Sequence, residues 1–68
     1  MVNKNLLLSE LRKRGYNQSS FAESIGYNKN TFNSKVNGKS PFDTSEVKEI
    51  CEFLGIKDDK LKVLIFLS

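Results

Sequence analysis

Apolar residues recur along this chain at helical intervals, and each cluster is bracketed by the same punctuation. Leu7, Leu8 and Leu11 have the spacing of one helix face, and Gly15 stands where a left-handed residue closes such a helix. Asn17 then reads as an N-cap, with Tyr16 before it and Phe21 four residues after it, the spacing of a hydrophobic staple. Phe21, Ala22 and Ile25 make the inner stripe of this second helix, and Gly26 stops it. The grammar then repeats. Asn28 caps, Tyr27 and Phe32 staple, Phe32 and Val36 point inward at i, i+4, and Gly38 ends a third helix. After Pro41, Phe42 staples to Val47, Asp43 caps, and Glu46 occupies the capping-box position. Val47, Ile50, Cys51 and Leu54 give a fourth apolar face, closed by Gly55, with Ile56 folding back. Three staples of one design fix the register.

The tail is open to two readings. Asp58 can cap a helix containing Leu61, Leu64 and Ile65, yet Val63 to Leu67 is a continuous apolar run that also suits a short strand. A fifth helix is the reading adopted. The expected architecture is all-α, a compact bundle of five short helices in a single domain over residues 1–68, with no repeats or linkers.

Composition narrows the function. A chain of 68 residues buries only about 60% of its unfolded surface, so its apolar side chains are needed for one core, with little room for a deep substrate cavity. The sequence has no His and a single Cys, Cys51, which lies on an inner face. That removes the usual zinc sets and most nucleophile–base pairs, so neither metal, cofactor nor catalysis is expected. Leu6, Leu7 and Leu8 are too short a run for a signal or membrane segment, and a cytoplasmic setting is expected. The formal net charge is +3. Its placement matters more: residues 12–48 carry seven cations against three acids, and no acid lies between Ser24 and Phe42. This favours a polyanionic partner.

The third helix explains why. With Phe32 and Val36 inward, Asn30, Ser34 and Asn37 lie within about 60° of the opposite direction at 100° per residue. That surface of Asn, Ser, Thr and Lys is wrong for a core or for catalysis. It suits hydrogen bonding to base edges and phosphates, as the second element of a helix–turn–helix braced by Phe21, Ile25, Phe32 and Val36. Asn can pair with adenine N6 and N7, and Lys reaches guanine O6 and N7. Structural readings stand beside these. Asn28 can serve only as a cap, Asn37 only as the residue before a turn, and Lys35 is either a phosphate contact or an idle flank cation. Arg12, Lys13 and Arg14 most simply complement the end of the first helix.

The pattern Gln18-x-x-Phe21-Ala22-x-x-Ile25-Gly26-x-x-x-x-x-Phe32, followed by Asn37-Gly38-Lys39 and Leu54-Gly55-Ile56, resembles the lambda-repressor-like helix–turn–helix domains of phage repressors and Cro proteins. The likeness covers about residues 6–56. It implies base contacts from Lys29, Asn30, Asn33 and Ser34. Phosphate contacts are expected from Asn17, Gln18, Asn28 and Thr31 on one side, and from Lys35, Asn37 and Lys39 on the other. Two departures stand out. Lys35 occupies a position that is usually apolar, and Leu11 and Val36 replace an Arg–Glu pair common in the family, both charges being exchanged together for apolar groups. The expected function is a phage or prophage repressor or Cro-like regulator reading operator DNA in the major groove, with double-stranded DNA and a second copy as partners. No small-molecule substrate or effector and no membrane is expected. Val63, Phe66 and Leu67 are the candidate dimer surface, since the tail carries more apolar residues than one helix face buries. The alternative is a protein-interaction module that modulates a repressor without reading DNA.

Overall fold

Five short polar side chains start five helices. In a computed structural model describing residues 2–67, these are α1 (Lys4–Lys13), α2 (Gln18–Ile25), α3 (Lys29–Val36), α4 (Thr44–Leu54) and α5 (Asp59–Phe66). Their caps are Asn3, Asn17, Asn28, Asp43 and Asp58, each accepting a hydrogen bond from an amide of the first turn. Each cap satisfies a donor that the helix cannot. The box at α4 forms as the pattern required, with Glu46 accepting from the Asp43 amide. A second box at α2 uses the Ser20 hydroxyl in place of a carboxylate. No strand occurs among the described residues, so the tail is a helix.

The staples become a continuous aromatic spine. Tyr16 meets Phe21 edge-on with ring centroids 5.5 Å apart, Phe21 meets Phe32 at 5.6 Å, Phe32 meets Phe42 at 6.0 Å, and Phe42 meets Phe66 at 5.4 Å. Around it, Leu7, Leu11, Val36, Ile50, Cys51, Leu54, Ile56 and Ile65 close one buried cluster fed by all five helices. Leu11 and Val36 both belong to it, consistent with an apolar replacement of a buried ion pair. Burial also pushes the Cys51 thiol above its ordinary pKa, so it behaves as a small hydrophobe.

The last turn of α5 corrects the expected dimer surface. Phe66 is only 6% exposed because its ring stacks edge-on against Phe42 and completes the spine. Leu64 is 54% exposed and lies with Val63 and Leu67 on the outward side. The inward pair is Ile65 and Phe66.

A charged knot joins α1 to α4. Glu10 is 4% exposed, and its carboxylate accepts from Lys13 Nζ and Arg14 Nη1, each at 2.9 Å. Arg14 also donates from Nε to the Leu54 carbonyl at 2.8 Å, occupying the end of α4. The hydrogen bonds from Lys13 and Arg14 hold the Glu10 pKa below its ordinary 4.5, against the opposing effect of burial. A depressed carboxylate stabilises the fold fully above the unfolded-chain pKa, and that contribution disappears as pH falls through the folded value. Glu10→Gln is therefore expected to cost on the order of 1.5 kcal/mol near neutral pH. Urea midpoints compared at about pH 7 and at acid pH check this, since the cost should shrink as falling pH protonates the Glu10 carboxylate. An equal cost at both would assign the effect to packing.

Candidate nucleic-acid interface

The helix pair at the centre of the molecule turns at Gly26, whose φ of +86° lies in the left-handed region. A Cβ there would touch nothing within 4 Å, so the glycine is required by backbone conformation alone. The turn brings α3 across α2 with Phe21 against Phe32, and Tyr27 anchors the corner by donating its hydroxyl to Glu49 of α4 at 2.6 Å. Burial, and then that carboxylate, push the tyrosine pKa far above its ordinary value, so this tie is insensitive to pH in the working range.

Phe32 and Val36 are 0% and 1% exposed. The rest of α3 consequently faces solvent: Lys29, Asn30, Thr31 and Asn33 are exposed and Ser34 is half-buried, with Asn37 and Lys39 exposed in the turn that follows. Asn17, Gln18 and Asn28 border this surface from the starts of α2 and α3. The Asn17 and Asn28 carboxamide oxygens are taken by capping, which leaves their NH₂ groups as donors. Capping and phosphate contact are thus compatible at both positions.

Two expected phosphate contacts are engaged elsewhere. Lys35 is ion-paired with Glu46, the same side chain that closes the α4 capping box, and both are largely covered. The position is set by rotation: Val36 points into the core, so Lys35 falls on the flank facing α4. Asn37 donates from Nδ2 to the Asn33 carbonyl at 2.9 Å and to Asn33 Oδ1 at 3.0 Å, while its own oxygen accepts from Lys4 Nζ at 2.7 Å. Its side chain braces the surface and has no donor left for a phosphate. Gln18 completes the chain by donating to Asn33 Oδ1 at 2.7 Å.

Lys4 is the residue that sequence reading missed. It opens α1, yet its ammonium reaches the end of α3, 33 positions along the chain. The proximity of Lys4 to Asn37 could not be read from local spacing. With one of three donors used, Lys4 adds a cation beside the turn. Lys29 contributes another. Its 3.6 Å contact with Glu23 is exposed on both sides, the kind of ion pair that contributes little and is readily exchanged. The Asn, Lys and Thr surface therefore has Lys29 at its front and Lys4 and Lys39 at its rear. Among the described residues, no group of three or more His, Cys, Asp or Glu side chains could hold a metal, and no helix is long and apolar enough to cross a membrane.

A family model described as the Cro/C1-type HTH DNA-binding domain matches residues 7–59, from within α1 to the first residue of α5. No curated protein and no solved structure matches the chain at a significant level.

Proposed function

This chain belongs to the Cro/C1-type helix–turn–helix DNA-binding domains, and from that premise we propose that it is a phage or prophage transcription regulator reading operator DNA through α3. The observation that carries this is the division of α3. Phe32 and Val36 are sealed in the core, and an amide-rich face of the helix is left in solvent, an element that a major groove admits. Lys29, Asn30, Asn33 and Ser34 read base edges. Asn17, Gln18, Asn28 and Thr31 hold phosphates on the leading strand side, and Lys39 with Lys4 holds them behind. No chemistry or cofactor is needed: the whole of residues 1–68 acts as a positioned surface.

A domain of this size makes few base contacts, so useful affinity requires two copies on half-sites roughly 10 bp apart. Val63, Leu64 and Leu67 supply an apolar surface for that pairing on the outward side of α5.

Titration against random duplex at several salt concentrations tests the reading. Lys4 and Lys39 as phosphate contacts predict a log–log salt slope of about −2 for each bound copy. No binding at low salt would remove DNA reading and leave the protein-interaction module. Selection from randomised duplex then tests pairing: a palindromic site supports two copies, and a lone half-site removes the dimer.

A further inference from the structure

Asn33 is held differently from every other asparagine on the surface. We propose that Gln18 and Asn37 orient it so that it reads only hydrogen-bond acceptors, which makes its base preference guanine or thymine in place of adenine. The inference rests on the reading of α3 as the base-contacting helix and deepens it.

A carboxamide has one oxygen with two lone pairs and one NH₂ with two donors. Asn33 Oδ1 accepts from Gln18 Nε2 at 2.7 Å and from Asn37 Nδ2 at 3.0 Å. Both lone pairs are filled, and the NH₂ group is what remains for a ligand. Adenine recognition by asparagine needs both ends of the amide, since N6–H donates to its oxygen while N7 accepts from its nitrogen. Asn33 can offer that pair only by giving up a bond from α2 or from the following turn. Guanine presents O6 and N7, and thymine presents O4, all acceptors. These match a donor-only amide without rearrangement.

The brace is anchored at both ends. Asn37 is itself fixed by a second bond to the Asn33 carbonyl and by Lys4 from α1, while Gln18 stands on the first turn of α2. The amide orientation is thus set by three helices at once. Asn30 gives the contrast: its backbone amide is engaged by the Asn28 cap, while among the described residues its side chain makes no hydrogen bond. Its carboxamide keeps donor and acceptor together and is the position suited to adenine. Gln18 and Asn37 act here as positioning residues, and a donor-only neighbour beside a bidentate one gives α3 two different letters to read.

Duplex selection with the full chain, Asn33→Ala and Gln18→Ala tests this. Asn33→Ala identifies the column by flattening one position of the selected site. In the unaltered protein that column should hold guanine or thymine. Gln18→Ala frees one lone pair, and adenine should rise about fivefold in the same column, the equilibrium equivalent of one ordinary hydrogen bond. Loss of Gln18 as a phosphate contact alone would lower binding to all sequences and leave the column unchanged. Adenine already preferred in the unaltered protein, no column flattened by Asn33→Ala, or a column unmoved by Gln18→Ala each overturns the proposal. Failure of the unaltered protein to select any site would instead overturn DNA reading itself.

Discussion

Phe32→Ala is expected to leave the chain largely unfolded near room temperature. The side chain is fully buried and is a branch point of the aromatic spine, with Phe21, Tyr27 and Phe42 rings at 5.6, 5.9 and 6.0 Å. Truncating such a residue costs about 3–5 kcal/mol, the transfer loss plus the cavity that remains. At roughly 0.05–0.15 kcal/mol per residue, a chain of this length has only about 3–10 kcal/mol to lose. The rings around Phe32 come from α2, the turn and the loop before α4, so no single side chain can move in to refill the space. Circular dichroism against urea measures the loss, with Phe53→Ala as comparison, since Phe53 is 44% exposed and packs on one side only. A loss below about 1 kcal/mol for Phe32→Ala would mean that the core collapses around the gap, and that the brace between α2 and α3 is softer than the ring geometry requires.

That brace was legible before any coordinates because it is local. Each staple pairs residues five apart around a cap, and each cap acts on the turn that follows it, so Asn17, Asn28, Asp43 and their glycine stops could be read from spacing alone. The inward direction of α3 followed, and with it the identity of its solvent face. What escaped was set by distant parts of the chain. Lys35 looked like a free cation because its partner, Glu46, lies beyond the loop in the next helix. The engagement of the Asn37 side chain was hidden because Lys4, which donates to its oxygen, lies 33 positions away. In the tail, five consecutive apolar residues gave periodicity nothing to discriminate, and contact with Phe42 decided that Phe66 turns in while Leu64 turns out. Capping and stapling are written within a few residues of one another; the electrostatic and amide partners of the binding surface are not.

The largest functional effect is expected at Asn30. Its side chain is exposed, its carboxamide is unengaged among the described residues, and it lies near the centre of the solvent face of α3. Removal by Asn30→Ala costs the fold little, because the residue packs against nothing in the core. Loss of a bidentate base contact costs about 1–3 kcal/mol on the preferred site, up to roughly a hundredfold in affinity. On duplexes that already lack the matching base the cost should be near zero, so the ratio between the two sequences collapses while the salt slope stays put. Lys39→Ala should do the reverse. The exposed cation in the turn after α3 is a proposed phosphate contact, so its loss should weaken all sequences alike and flatten the slope by about 0.9. Fluorescence titrations of both variants on matched and mismatched duplexes, each at several salt concentrations, separate the roles within one experiment. Equal losses for Asn30→Ala on every duplex would place that residue on the backbone, and an unchanged slope for Lys39→Ala would leave its ammonium in solvent.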